Sequence, residues 1–262
     1  VNKITSNNNP LIKEVKALSR RKDRWIRKEY IIEGTKPIKE AVYEKAEIIS
    51  IFYSKKLLER KEGEELFNYL KGKCKVIELE DSLFQTISSM ENSQGIFAVL
   101  RFKESNLYNI RPDKPYIYLD EIQDPGNMGT IIRSADAFSM GGLILSKGCV
   151  DPYNPKVVRA SMGSIFRVDL IFNEDLEKGL CLLKEKARRL VVTSLEKSID
   201  ISEFTFLKDD IIVIGNEGRG VSKPLLELAD SIIKIPMKGM AESLNAGVAS
   251  SIIMYEISHR VS

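Results

Sequence analysis

Short apolar runs alternate with longer amphipathic stretches along the whole chain. In the N-terminal part the runs at 30–32, 48–53, 76–79 and 96–100 read as strands. Stretches with helical periodicity, 36–45, 57–71 and 81–90, lie between them. Ahead of these, Asn9-Pro10 has the form of a helix cap followed by proline at the first helical position. Leu11, Val15 and Leu18 then supply one apolar stripe, and the helix is expected to run on into a basic cluster.

Residues 102–114 are polar and turn-rich and read as a linker. Beyond it the alternation resumes. The runs at 116–119, 143–146, 190–193, 211–214 and 232–235 are apolar throughout, which suits strands buried on both faces of a parallel sheet. Helices are expected over 127–138, 155–162, 175–189, 223–229 and 244–259. The expected organisation is therefore an α/β domain over 1–101, a linker over 102–114 and a larger α/β domain over 115–262. Parallel sheets of this kind bind ligands beyond the carboxyl ends of their strands, so the loops that follow strands carry the chemistry.

Composition changes this picture in two respects. A length of 262 residues with 43% hydrophobic side chains supports two domains with their own cores. The net charge of +3 is small, yet residues 1–36 hold ten Lys or Arg against four acids. Arg20, Arg21, Lys22, Arg24, Arg27 and Lys28 crowd around Trp25, the only tryptophan. Such a cluster can neutralise phosphates while the indole stacks on an exposed base. The alternative is a solvated helix end with Trp25 in the domain core.

The scarce residues exclude several chemistries. His259 is the single histidine, so a Ser–His–Asp triad, a Cys–His pair and a multi-histidine metal site lack material. Cys74, Cys149 and Cys181 are widely spaced and form no CxxC, which suits neither a zinc ribbon nor a disulfide framework. No metal is expected. No apolar run reaches the length of a membrane span and the first residues lack a secretory apolar stretch, so a cytoplasmic location is expected.

Three strand-following segments remain. The first, LDEIQDPGNMGTIIRSADAF over 119–138, turns at Asp124-Pro125-Gly126 into a helix that carries Asn127 and Arg133. The second, IIVIGNEGRGVS over 211–222, places three glycines within six residues around Asn216, Glu217 and Arg219. It is neither a Walker loop nor GxGxxG, and Glu217 opposes a pyrophosphate site. The third, IKIPMKGMAESLNAGVASSIIMYEI over 233–257, opens a helix with Glu242-Ser243-Leu244-Asn245 followed by small residues that permit close approach.

In this order and at these spacings the segments resemble the SpoU class of the SPOUT superfamily, the RNA 2′-O-ribose methyltransferases. NMGTIIR, IGNEGRGV and IPMKGMAESLNAGVA match its three motifs, and DPYNPKVVRASMGSIFRV over 151–168 looks like the segment between the first two. SxxNPxIK, YIIEG and QGIFAV are similar to the N-terminal substrate-binding domain common in this class, whose architecture resembles an RNA-binding ribosomal protein. One departure is Ala246-Gly247 after ESLN, where valine is frequent.

The resemblance implies a C-terminal trefoil-knotted parallel-sheet domain, an obligate homodimer and bound S-adenosylmethionine. It implies cofactor contacts from Ser194, Leu195, Gly215, Asn216, Glu217, Gly218, Ile235, Met237, Ser243, Leu244 and Asn245. It points to Arg133 as the residue that acts on the ribose hydroxyl and touches RNA, with Asn127, Glu217, Ser243 and Asn245 completing the catalytic set. The extra N-terminal domain makes 23S ribosomal RNA the first choice of substrate, with transfer RNA second and a non-catalytic RNA-binding role third.

Overall fold

The structure, a computed structural model, describes residues 3–186 and 188–261. The chain divides into two compact units, Val1–Lys103 with Tyr153–Arg159, and Glu104–Pro152 with Ala160–Ser262. The division differs from the sequence-based one in two places. Tyr153–Arg159 groups with the first unit, where the Tyr153 ring stacks on Phe102 at 3.7 Å and lies 4.7 Å from Tyr30. The 102–114 stretch is not an open linker, because Leu107 and Ile110 are buried in the core of the second unit.

In the first unit, strands β1 (Lys3–Ile4), β2 (Glu29–Glu33), β3 (Ile48–Tyr53), β4 (Val76–Leu79) and β5 (Ile96–Arg101) form one sheet in the order β1-β4-β3-β5-β2. Strand β5 runs antiparallel to both its neighbours, while β1, β4 and β3 are parallel. The Asn9 side chain accepts from the Leu11 N–H at 2.9 Å and starts helix α1 (Pro10–Ala17). Its stripe is Ile12, Val15 and Leu18, which pack on Phe52, Leu79, Phe84 and Phe97. The expected single helix is two: α1 ends at Leu18, and α2 (Arg21–Arg27) carries the basic cluster. Lys28 adopts a left-handed conformation with φ 56° and turns the chain into β2. Helices α3 (Thr35–Tyr43), α4 (Lys61–Leu70) and α5 (Asp81–Gln85) complete the unit. The expected 57–71 helix is broken by extended Arg60, after a 3-10 turn over Lys55–Glu59.

The second unit contains β6 (Tyr116–Leu119), α6 (Pro125–Ala137), β7 (Leu143–Ser146), β8 (Leu170–Asn173), α8 (Leu176–Glu185), β9 (Arg189–Thr193), β10 (Ile199–Asp200), β11 (Asp210–Ile214), α9 (Lys223–Glu227), β12 (Ser231–Lys234) and α10 (Ala246–Arg260). Helix α7 (Pro155–Ala160) spans the point of division. The seven strands are all parallel in the order β10-β12-β9-β11-β6-β7-β8. Central β11 is buried at every residue, as the unbroken apolar run requires. Strands β1, β8 and β10 are not evident in the sequence: β1 and β10 are two residues long, and β8 contributes only the three-residue apolar run 170–172 before Asn173. Of the helix expected over 175–189, Ala187 lies outside the described residues. No helix among the described residues is long and apolar enough to cross a membrane.

Candidate active site

The carboxyl ends of β6, β9, β11 and β12 lie side by side, because β11 pairs with β6 and β9, and β9 pairs with β12. The loops that leave them are therefore neighbours. The Asp124 side chain accepts from the Asn127 N–H at 2.8 Å, and Pro125 needs no donor partner, so α6 begins at this strand end. That places Asn127 in the first turn, 6% exposed. Its Nδ2 donates to Glu217 Oε1 at 2.9 Å, and its Oδ1 accepts from Asn245 Nδ2 at 2.8 Å. Asn245 Oδ1 in turn accepts from the N–H groups of Gly247 and Val248 at 3.0 and 3.2 Å, which starts α10. One residue from each of the three motif segments thus joins a single hydrogen-bonded chain.

The glycine-rich turn after β11 is held just as closely. Asn216 and Gly220 exchange backbone hydrogen bonds of 3.0 and 2.9 Å. Asn216 Oδ1 accepts from the N–H groups of Gly218 and Arg219, while its Nδ2 donates to the Glu121 carbonyl at 2.8 Å. The Arg219 guanidinium pairs with the Glu121 carboxylate, and buried Asp120 accepts from the Ser222 N–H at 2.8 Å. Asp120 and Glu121 are supporting residues that sequence reasoning passed over. Their signal was present as the acidic pair directly after the β6 run.

Glu217 is ionised more readily than an ordinary glutamate. Burial works to raise its pKa, but hydrogen bonds from Asn127 and from the N–H groups of Glu217 itself, Asp124 and Gln123 together lower it. A lowered native pKa contributes stability that is present above the ordinary carboxylate range and is lost as pH falls through the lowered value. Cofactor affinity measured by calorimetric titration is therefore expected to hold from neutral pH down into the ordinary carboxylate range and to fall only as pH passes through the lowered value. Glu217→Gln keeps the shape but loses the charge, so its affinity is expected to be lower at neutral pH and flatter across the acid range.

Ser194 follows β9 and donates its N–H to the Ile233 carbonyl at 3.0 Å. Leu195 is 63% exposed, Ile235, Met237 and Leu244 are half-buried, and Gly218 and Ser243 are exposed. Arg133 is exposed and makes no hydrogen bond or ion pair among the described residues. It is not bonded to the Asn127–Glu217–Asn245 chain; it projects from α6 about one and two-thirds turns further on. His259 sits near the far end of α10, roughly 20 Å along the helix from Asn245.

The basic cluster needs one correction. Arg24 is 3% exposed, and its Nη1 donates to the Leu18 and Ser19 carbonyls at 2.8 and 2.9 Å. It closes the gap between α1 and α2 and is not presented to a phosphate. Arg20 pairs with Asp23 at 2.7 Å and Arg27 with Glu14 at 3.6 Å, both at the surface, while Arg21, Lys22 and Lys28 are exposed. Trp25 is half-buried: it meets Phe102 edge-on at 5.6 Å, with Lys28 Nζ 4.9 Å from its ring centre.

These features, three motif loops joined at the carboxyl edge of an all-parallel sheet, coincide with the family relationship of the chain. The SpoU rRNA Methylase family model matches residues 114–255, and a model described as the MRM3-like substrate binding domain matches residues 9–98. The chain belongs to the SpoU rRNA methylase family, whose members transfer methyl groups from S-adenosylmethionine. It is 30% identical to the Bacillus subtilis 23S rRNA (guanosine(2553)-2′-O)-methyltransferase RlmP over 97% of this chain and 98% of that protein. It superposes with a TM-score of 0.87 on an AdoMet-bound rRNA methyltransferase from Sinorhizobium meliloti, 30% identical and covering 100% and 99% of the two chains. The same score of 0.87 relates it to the SpoU methyltransferase AviRb of Streptomyces viridochromogenes in complex with AdoMet, 29% identical over 96% and 98%.

The residues present fit that cofactor. A Cβ on Gly215 would lie 2.3 Å from backbone atoms of Gly220 and Val221, so the turn closes tightly on its own backbone, and exposed Gly218 and Gly220 leave peptide groups uncovered. Leu195 and Met240 leave apolar surface open on the loops after β9 and β12. Peptide groups beside apolar side chains suit an adenine ring and a thioether chain.

Proposed function

We propose that this protein transfers a methyl group from S-adenosylmethionine to a ribose 2′-hydroxyl of 23S ribosomal RNA. The observation that carries the reading is the Asn245–Asn127–Glu217 chain, which locks the three motif loops together on the helix that holds Arg133. When bound, the cofactor supplies a methyl already activated by its sulfonium charge. The enzyme's task is then alignment and support of the oxygen as it loses its proton. An arginine remains charged at any physiological pH and is a poor base, so Arg133 acts by stabilising negative charge that develops on the 2′-oxygen. Glu217, held ionised by its hydrogen bonds, positions Asn127 and the loop after β6. Ser243 and Asn245 close the pocket from the start of α10.

The same reading includes a trefoil knot in the second unit, a homodimer and a cytoplasmic site of action on RNA. An apolar strip on α10 supports the dimer: Val248 and Tyr255 are 46% and 48% exposed beside α6. Residues 9–98 grip the RNA, with Arg20, Arg21, Lys22 and Lys28 available to phosphates. Reversing Arg20 and Arg21 to glutamate is expected to weaken RNA binding and to reduce the slope of log affinity against log salt by about two. An unchanged slope would remove α2 from the interface. The function itself is tested by mapping 2′-O-methyl groups by mass spectrometry in RNA from cells with and without the gene. Loss of one ribose methyl from 23S rRNA is the expected result, and loss from transfer RNA instead would reassign the substrate.

A further inference from the structure

Residues 160–167 of the second unit contain a feature that packing does not explain. Met162 has φ 49° and is the only apolar side chain in the left-handed region among the described residues. It follows α7, at a place where helices commonly use glycine to end. A methionine there bears backbone strain, and its side chain is 63% exposed, so it gains no core contact in return. Its neighbours are firmly fixed. Ser161 is fully buried, and its carbonyl accepts from the Ser164 N–H at 3.0 Å. A strained, exposed side chain between anchored residues is the pattern expected of a contact surface.

Helical geometry shows what the segment carrying Met162 lies beside. On α6, Gly129, Arg133 and Asp136 fall within an arc of about 60°. Gly129 abuts Ala160 so closely that a Cβ would lie 2.3 Å from the alanine's own. About two turns further along the same face, Asp136 accepts from Arg167 Nε at 2.8 Å. The 160–167 segment is thus pinned to α6 at both ends, with Arg133 between the pins. The adjacent face of α6 meets α10 through Thr130 against Gly247 and a 2.7 Å contact between the Ser134 and Ser251 hydroxyls. Arg133 therefore leaves α6 between the side that meets α10 and the side that meets the segment carrying Met162.

We infer that Met162 is the platform for the nucleobase of the methyl-accepting nucleotide, held beside the arginine that serves its 2′-oxygen. This rests on the function proposed above. A thioether is polarisable, unbranched and tolerant of shape, and it packs favourably on aromatic faces. It would hold a splayed-out base without reading its hydrogen-bonding edge. The residue then determines how firmly the nucleotide seats, and not the bond-making step.

The test uses full-length enzyme with Met162→Ala and Met162→Gly, and radiolabelled methyl transfer to 23S rRNA extracted from a strain lacking the gene. Both variants are expected to raise KM for RNA roughly three- to tenfold, with kcat within about twofold and affinity for S-adenosylmethionine unchanged. Met162→Gly removes the backbone strain, so its Tm is expected to be equal to or above that of the parent. A stabilised variant with weaker RNA saturation separates a contact role from a structural one. Unchanged KM for RNA in both variants would overturn the inference, as would a shift in oligomeric state on gel filtration or a parallel loss of cofactor affinity. Failure of the parent enzyme to methylate the RNA would overturn the functional reading along with it, whereas parent activity with unaffected variants would overturn this inference alone.

Discussion

Arg133→Ala is expected to lower methyl transfer by about a hundred- to a thousandfold while S-adenosylmethionine still binds. The magnitude is that of removing one preorganised charge from a developing oxyanion. The separation between chemistry and binding follows from placement. Arg133 is exposed and makes no hydrogen bond or ion pair among the described residues, so its removal leaves the Asn127–Glu217–Asn245 chain intact. Arg133→Lys keeps the charge but loses the planar fork, and only partial recovery is expected. Single-turnover methylation and calorimetric cofactor titration on the same preparations check both halves. Near-normal turnover in Arg133→Ala would remove this residue from the reaction.

Gly215→Ala is expected to do the opposite, abolishing cofactor binding and activity together. The added Cβ would meet the Gly220 carbonyl carbon and the Val221 nitrogen at 2.3 Å, and both are backbone atoms that cannot swing aside. The reciprocal Asn216–Gly220 hydrogen bonds that define the turn would have to open. Opening them also releases Asn216 from Glu121 and displaces Glu217 from Asn127. The first unit shares none of these contacts, so RNA binding through α2 should persist. Calorimetric titration showing no heat with S-adenosylmethionine, beside retained RNA binding, is the expected pair of results. A variant that binds the cofactor normally would show that the turn is not its seat.

Much of the second unit was legible because buried parallel strands are written as unbroken apolar runs. The runs at 116–119, 143–146 and 211–214 each contain or equal an observed strand to within one residue. Strand β10 was not legible, because two residues carry no periodicity and pair only once β12 is in place. The split between α1 and α2 was hidden for a related reason. Arg24 reads as one more surface cation, yet its guanidinium is consumed by carbonyls freed where the helix breaks. Composition cannot distinguish a cation that faces water from one that caps its own chain. Likewise Tyr153–Arg159 reads as part of the second domain, and only its ring stacking on Phe102 and Tyr30 reveals that it groups with the first unit.

The sequence by itself determined the alternation of strands and helices, the motif residues and the scarcity of histidine. Each of these is carried by residue identity and local spacing. The tertiary structure alone decided which side chains meet. Asn127, Glu217 and Asn245 are separated by 90 and 28 positions along the chain and come within hydrogen-bond reach only because four strand ends share one edge of the sheet. Burial also reassigned Arg24, and backbone conformation singled out Met162, both of which look ordinary in one dimension. The physical reason is the same in each case: desolvation, strain and long-range hydrogen bonds belong to the packed chain, and no local pattern of residues records them.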